Sequence, residues 1–456
     1  MLWNKRMPNP RAGWVGLMAG LSVGAAQAAY LQWETVELPA SSGASCGNGT
    51  PYRFFVNRTP LTSKTVVVFE GGGACFGQNT CLGLPLPTND PKNGVLLALN
   101  PDGIPPNYMT SLVNTNAHTS GSPLGLINTA SFGMVTPFTN RLGLVQKVQT
   151  QGWNIVYAPY CTGDIGGGNA TVVYTDANPA KPLAYYHRGA VNGQLMAQWL
   201  GKNLARPDQL FVTGFSAGGY ASTLNYLWLK QALNPVRSAL LNDAGPLLDA
   251  PANATPEQAP TLPLYSRVRK VWGIDGPNGI VARIQAAVPN SQQYGLDPSN
   301  FGSVMPALAR MFPHDRIAMS TMMEDRVLPR FIYEPFFSDI LQAPPGAQRD
   351  TLIMKRWKQD VNAWVSMVQT TAPSNLGYYI PNARDIALSH TLTCVTFAGT
   401  AIPELNMPSV GSFIDDLIDG SRPVMRAQTS VQTTQRSGLA AIYLGMADLL
   451  LAVLGA

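Results

Sequence analysis

The stretch Leu210-Phe211-Val212-Thr213-Gly214-Phe215-Ser216-Ala217-Gly218 decides how the rest of the chain is interpreted. An apolar run typical of a buried strand leads into the pattern Gly-x-Ser-x-Gly, and a helix-length segment over 217–231 follows. A sharp strand–turn–helix connection of this kind exposes a serine hydroxyl at the top of an α/β sheet. The sequence therefore predicts that Ser216 is a nucleophile, and the alternative is a purely structural turn.

Short apolar runs on both sides of this motif predict further strands of the same sheet. They lie at 65–69, 153–158, 209–213, 238–241, 317–320 and 377–380. Continuous runs of β-branched and aromatic residues are typical of parallel strands that are buried on both faces. Helix-length stretches such as 190–204 and 217–231 lie between several of these runs. The alternation predicts an α/β sheet.

Two segments interrupt the alternation of strands and helices. Residues 82–150 and 246–316 are rich in Pro, Asn and Gly, and we interpret both as insertions at the mouth of the sheet. For 82–150, plain surface loops are an equal alternative, whereas Met305, Met311 and Phe312 favour a pocket-lining role for the second insertion. We expect residues 29–436 to form one domain that contains both insertions.

A serine nucleophile needs a base, and the base needs an acid that orients it. In α/β-hydrolases the acid and then the histidine follow the serine along the chain. Two histidines follow Ser216, and His390, about ten residues after the last predicted strand, is the better candidate. The other, His314, lies in the second insertion and precedes a strand, while His118 and His187 precede the serine and are interpreted as structural.

The acid is expected at the carboxyl end of the strand that precedes the histidine strand. Asp325 follows the run 317–320 and is the predicted acid, with the neighbouring Glu324 as the alternative. Asp385 lies in the loop before the histidine and is expected to shape that loop. Asp243 ends the strand after the nucleophile helix, which is too early for the acid in this chain order.

Acyl transfer also needs hydrogen-bond donors for the oxyanion. Gly71-Gly72-Gly73 follows the strand 65–69, and its backbone N–H groups are not hindered by side chains. We predict Gly72 and Gly73 as donors, together with the N–H of Ala217, the residue after the nucleophile. A second triplet, 166–168, lies at a less suitable position relative to the serine.

The composition excludes several classes of protein. Charged residues make up 12% of the chain, against about 25% in typical soluble domains, and hydrophobic residues make up 45%. Low charge with high hydrophobicity excludes intrinsic disorder, and the 43 Gly and 37 Pro exclude a coiled coil. The net charge is +5, and three of these charges lie in the first 11 residues, so the remaining +2 argues against a nucleic-acid partner.

The two ends of the chain have distinct patterns. Lys5, Arg6 and Arg11 precede a small and apolar run that ends in Ala26-Gln27-Ala28, as in an export signal that is cleaved after Ala28. We therefore expect residues 1–28 to be a signal peptide and the mature protein to be secreted or periplasmic. Residues 437–456 are mostly apolar, and we interpret them as a buried helix, with membrane contact or pairing with another chain as the less favoured readings.

The five cysteines, Cys46, Cys75, Cys81, Cys161 and Cys394, match no zinc-binding spacing. Disulfides persist in an oxidising compartment, and the short spacing between Cys75 and Cys81 suits a small loop. Because the number is odd, at least one thiol stays free or pairs between chains.

Several segments together resemble one family. The segment Phe69-Glu70-Gly71-Gly72-Gly73-Ala74-Cys75 is similar to the Glu-Gly-Gly-Gly-Trp-Cys segment of pectin acetylesterases, which share a family with the Notum carboxylesterases. The chain's other matches are Pro159-Tyr160-Cys161, Gly214-Phe215-Ser216-Ala217-Gly218-Gly219, Leu241-Asn242-Asp243-Ala244-Gly245 and Leu388-Ser389-His390. They extend in the family's order over most of the chain.

The resemblance implies an α/β-hydrolase fold and an esterase with Ser216, Asp325 and His390 as its triad and no metal or organic cofactor. It also implies a disulfide between Cys46 and Cys161 beside one between Cys75 and Cys81, which leaves Cys394 alone. Ala74 stands where the family has an aromatic residue, which predicts a more open site.

The family favours acetyl groups on a polysaccharide as the substrate, whereas the low charge and the Met-rich segment 305–323 favour a longer acyl chain or an aliphatic polyester. A secreted binding protein with an inactive site is an alternative of another class, and the complete Ser–Asp–His order argues against it.

Overall fold

A computed structural model describes residues 30–83, 100–110, 136–143, 146–384, 389–420 and 423–431, with 438, 441–442 and 444–445. The strands in this part of the chain are β1 (Trp33–Glu37), β2 (Arg53–Asn57), β3 (Thr65–Phe69), β4 (Asn154–Ala158), β5 (Ala170–Tyr174), β6 (Leu183–His187), β7 (Gln209–Phe215), β8 (Arg237–Asp243), β9 (Arg316–Ser320), β10 (Leu376–Ile380) and β11 (Arg426–Gln428). Nine of them form one sheet in the order β1-β2-β4-β3-β7-β8-β9-β10-β11, and β5 and β6 form a separate hairpin.

The central part of the sheet is parallel from β4 to β11, while β1 and β2 pair in antiparallel fashion at one edge. All residues of β3, β4 and β10 are buried, as expected for strands covered on both faces. The six predicted strands correspond to β3, β4, β7, β8, β9 and β10, with ends that differ by at most two residues. The predicted α/β-hydrolase class is confirmed.

Helices surround the sheet. They are α1 (Gln78–Cys81), α2 (Gly189–Asn203), α3 (Ala217–Leu233), α4 (Leu262–Val271), α5 (Ile280–Ala287), α6 (Val304–Met311), α7 (Leu328–Tyr333), α8 (Ser338–Gln342), α9 (Ala347–Thr371) and α10 (Val410–Asp419). The predicted helices 190–204 and 217–231 are α2 and α3. In α3 the first 13 residues, through Leu229, are all buried, so this helix lies against the sheet and its neighbours along most of its length.

Some elements were not predicted, because their sequences lack an apolar run. The edge strand β1 has the sequence Trp-Glu-Thr-Val-Glu, and only its valine is buried. The hairpin strand β5 alternates half-buried and exposed residues before its last position. Such strands depend on tertiary pairing and have no continuous hydrophobic signal of their own.

The predicted insertions and chain ends are described only in part. Residues 1–28, three stretches of 82–150 and most of 437–456 lie outside the described residues, so these assignments stay predictions. The second insertion, 246–316, contains α4, α5 and α6, and Met305 is fully buried in it. Within the described part of the chain, no helix is both long and apolar enough to cross a bilayer.

Candidate active site

The predicted nucleophile turn connects β7 directly to α3. Ser216 has φ 57° and ψ −124°, a backbone conformation that non-glycine residues rarely adopt. Close packing holds the turn in place, since a Cβ atom at Gly214 would lie 2.2 Å from the carbonyl oxygen of Gly218. A Cβ atom at Gly219 would lie 2.5 Å from the carbonyl oxygen of Asp243. The glycines of the motif are therefore required by space at this turn.

The glycine triplet leaves β3 beside this turn, because Phe69 is in register with Gly214 of β7. A Cβ atom at Gly71 would lie 3.1 Å from the Cβ atom of Ser216, so the loop is in direct contact with the serine. Gly72 and Gly73 have φ values of 147° and 71°, which favour glycine. Among the described residues, no protein acceptor takes their N–H groups, as a role as donors to a substrate requires.

His390 and Asp325 form a hydrogen-bonded pair. The imidazole Nδ1 lies 2.6 Å from Oδ2 of Asp325, whose side chain is fully buried. The other carboxylate oxygen of Asp325 accepts hydrogen bonds from the N–H groups of Val327 and Leu328, at 2.8 and 2.9 Å. These bonds hold the carboxylate in a fixed orientation, so the aspartate orients the imidazole.

The charge around the imidazole favours its protonated form. Burial by itself lowers the pKa of His390, but the charge and hydrogen bond of Asp325 and the charge of Asp243 raise it above the ordinary value overall. A histidine with a raised pKa is a stronger base when it takes a proton from a hydroxyl group.

The alternatives weighed from the sequence lie elsewhere. Glu324 is half-exposed and pairs with Lys358 at 2.9 Å, so its carboxylate is not the partner of His390. His314 is exposed and precedes β9, at the end of the sheet opposite to the nucleophile turn. His187 is buried between the Tyr174 hydroxyl and a backbone carbonyl, as expected for a structural histidine. Asp385 and His118 lie outside the described residues.

The second glycine triplet, 166–168, packs along the side of α3. A Cβ atom at Gly166 would lie 2.5 Å from that of Ala221, and one at Gly167 would lie 2.9 Å from Leu224. These contacts give the triplet a packing role and separate it from the Ser216 turn.

Glu70, a buried carboxylate directly before the glycine triplet, has no role that the sequence indicates. Glu70 accepts hydrogen bonds from the hydroxyl groups of Tyr108 and Tyr157, both at 2.7 Å. It also accepts from the Tyr160 N–H at 3.0 Å and from the Asn100 side chain at 3.2 Å. Burial raises the pKa of Glu70 to about 7, although these bonds lower it in part. The only sequence signal was a carboxylate at the end of an apolar run.

Two disulfides support the site. Cys75 bonds to Cys81 and Cys46 bonds to Cys161, which are the pairs that the resemblance implies, and Cys394 is a buried free thiol.

Within the described residues, one group has ligand spacing for a metal, Cys75, Cys81 and His187. Both of its thiols are consumed by the disulfide, so this group does not fit a metal ion.

Comparison with known protein families agrees with the α/β-hydrolase fold described above. Residues 147–276 match the family model described as Pectinacetylesterase. The matched segment runs from before β4 to just beyond α4, and it includes the Pro-Tyr-Cys element, the nucleophile turn and Asp243. A search of the curated proteins finds no match.

Proposed function

We propose that the chain, a member of the pectin acetylesterase and Notum family and thus a carboxylic ester hydrolase, is a serine esterase that uses Ser216, His390 and Asp325. The observation that carries this proposal is the hydrogen bond between Asp325 and His390 at the sheet edge where the strained Ser216 turn meets the glycine triplet. Nucleophile turn, oriented base and free backbone donors are the parts that acyl transfer requires.

The reaction proceeds in two steps. Ser216 Oγ attacks the ester carbonyl while His390 takes its proton, and Asp325 stabilises the imidazolium. The N–H groups of Gly72, Gly73 and Ala217 donate to the oxyanion, and one such donor contributes about 3 kcal/mol in other hydrolases. His390 then protonates the leaving alcohol. Water, deprotonated by the same imidazole, hydrolyses the acyl-enzyme and releases the acid.

The substrate we propose is an acetyl ester, in first place one carried by a polysaccharide. The family supports this class. One of the two arguments for a longer acyl chain was the Met-rich segment 305–323, but its Met305, Met319 and Met322 are fully buried core residues, and Met311 and Met323 are partly buried against the core. They therefore do not offer an open apolar surface to an acyl chain.

We also propose that the protein acts outside the cytoplasm, after cleavage near Ala28. Two disulfides persist where the environment is oxidising, and this agrees with the export signal in the sequence.

The nucleophile is tested with Ser216→Ala. Hydrolysis of p-nitrophenyl acetate should fall at least about 10³-fold, because the attacking oxygen is removed, and labelling by a fluorophosphonate probe should disappear. The control is Ser366→Ala, an exposed serine on α9, which should keep wild-type rates and labelling. Retention of most activity by Ser216→Ala would exclude Ser216 as the nucleophile, and a wild-type protein without labelling would favour an inactive binding protein.

The acyl preference is tested by comparing kcat/KM for acetate, octanoate and palmitate esters with acetate release from acetylated pectin and xylan. We expect the acetate ester to be preferred over the longer chains and acetate to be released from at least one polysaccharide. Preference for octanoate or palmitate without acetate release would instead assign the protein to lipid or polyester hydrolysis.

A further inference from the structure

Asp243 lies between the Ser216 turn and the loop that carries His390. It ends β8, its side chain is fully buried, and in register it faces Phe215 on β7 and Ser320 on β9. This position is on the carboxyl edge of the sheet, next to the strand that delivers Ser216. No step of the proposed mechanism uses this buried carboxylate.

The main chain of Asp243 contacts the nucleophile turn. The N–H of Ser216 donates a hydrogen bond of 2.8 Å to the carbonyl oxygen of Asp243. The following residue, Ala244, donates to the carbonyl oxygen of Ser320 at 2.7 Å. The nucleophile turn is thus anchored to the end of β8, which is itself anchored to β9.

The side chain of Asp243 contacts the loop that carries the histidine. Its carboxylate accepts from the N–H groups of Leu392 at 3.0 Å and Thr393 at 2.7 Å, and from the Thr393 hydroxyl at 2.6 Å. The Ser320 hydroxyl donates a further bond at 2.9 Å. Leu392 and Thr393 follow His390 by two and three residues, so the carboxylate holds the loop directly after the base.

We infer that Asp243 is a positioning residue of this site, whose carbonyl oxygen holds the Ser216 turn while its carboxylate holds the His390 loop. The inference rests on the proposed function. Its physical reason is distance, since an error of about 1 Å between nucleophile and base lowers the rate about 100-fold. One residue that binds both segments fixes their positions relative to each other.

The charge of Asp243 also acts on the base. Among the described residues, the charged and titratable groups around the His390 loop include Asp325, Asp243, Arg384, Tyr220, Cys394 and Glu70. Burial raises the pKa of Cys394 to about 12, so this thiol is neutral. Arg384 donates to carbonyl oxygens of the loop itself. The negative charge of Asp243 contributes to the raised pKa of His390.

The test is Asp243→Asn, which keeps the shape and removes the charge. We expect kcat/KM for p-nitrophenyl acetate to fall about 10- to 100-fold, mostly through kcat, with KM changed less than about twofold. The acidic limb of the kcat/KM profile should move to lower pH, because loss of the negative charge lowers the pKa of His390. The control is Asp315→Asn, which removes a buried carboxylate that pairs with Lys230 at the opposite end of the sheet. This control should leave the acidic limb unmoved.

A second pair of variants separates positioning from folding. Thr393→Val deletes one donor to the Asp243 carboxylate, whereas Thr393→Ser keeps it. We expect Thr393→Val to lose at least about threefold in kcat, and Thr393→Ser to recover most of that loss. If Asp243→Asn does not fold, this pair decides the inference.

Two results would overturn the inference. One is an Asp243→Asn enzyme with wild-type kcat and an unmoved acidic limb, and the other is equal activity of the two Thr393 variants. Failure of the proposed function is visible separately, because the wild-type protein would then neither hydrolyse esters nor react with the fluorophosphonate probe.

Discussion

Gly218 shows how little space the nucleophile turn leaves for a side chain. A Cβ atom there would lie 2.1 Å from the carbonyl oxygen of Phe69 and 2.7 Å from that of Glu70. Both are backbone atoms at the end of β3, and they cannot move aside as the end of a flexible side chain does. The residue therefore determines how closely the helix that follows Ser216 approaches the glycine loop.

We predict that Gly218→Ala lowers the free energy of unfolding by about 1–3 kcal/mol or more, because the added methyl group forces the backbone apart. Esterase activity should fall further than this loss of stability explains, since the same shift moves the donors away from Ser216. Urea unfolding and p-nitrophenyl acetate kinetics measure both effects. Gly152→Ala is the control, since its Cβ atom would meet nothing within 4 Å. An active, stable Gly218→Ala protein would contradict this account of the turn.

At the scale of elements, the two disulfides tie different parts of the chain. Cys46–Cys161 joins segments 115 residues apart, and Cys75–Cys81 closes a loop of 6 residues directly after the glycine triplet. The N–H of Cys75 also donates to Gly163, and its carbonyl accepts from Trp272. The short disulfide and these hydrogen bonds therefore hold the chain directly after the glycine triplet in place, and the long disulfide constrains the unfolded chain.

We replace each disulfide by two serines and predict that loss of the long disulfide affects stability more, whereas loss of the short one affects kcat more. Loss of Cys46–Cys161 should lower stability by about 4–5 kcal/mol on the loop-entropy model, against about 2 kcal/mol for Cys75–Cys81. Relative kcat of the folded protein should fall more without Cys75–Cys81, because Gly72 and Gly73 directly precede the segment that this disulfide holds. Thermal melts and single-temperature kinetics on both variants check this. Equal loss of kcat in the two variants would show that the short disulfide does not hold the glycine triplet in place.

At the scale of the whole molecule, burial of carboxyl groups sets the pH dependence of stability. Burial raises the pKa of Glu70 and of Asp360 to about 7 and that of Asp164 to about 6. Each group is protonated more readily in the folded chain than in the unfolded chain. Its contribution to stability is therefore present below its unfolded pKa and is lost as pH rises through its folded pKa. His187, whose pKa burial lowers to about 3, acts in the opposite direction as pH falls below its unfolded pKa.

We predict that the wild-type free energy of unfolding declines as pH rises from 5 to 8. Asp360→Asn should flatten this decline by at most about 1.4 kcal/mol per pH unit between pH 5 and 7. Asp360 suits the test because its carboxylate accepts a hydrogen bond of 2.8 Å from the hydroxyl of Tyr333 and is not a member of the candidate triad. Urea unfolding at four pH values gives the slope, with the exposed Asp419→Asn as control. An Asp360→Asn slope equal to that of the wild type would refute the prediction.

The sequence by itself determined the central strands, the nucleophile turn and the chain order of the candidate triad, because buried strands and glycine turns have local signals. Edge strands such as β1 and the hairpin of β5 and β6 were missed, since their pairing partners supply their stability. Only the tertiary structure decided that Asp325 rather than Glu324 contacts His390, because the direction of a side chain in a loop depends on the backbone around it. Only the tertiary structure also showed the contacts of Asp243, which comes too early in the chain to be the predicted acid of the triad. Its bonds to Thr393 join segments 150 residues apart, and no local pattern in the sequence records such a contact.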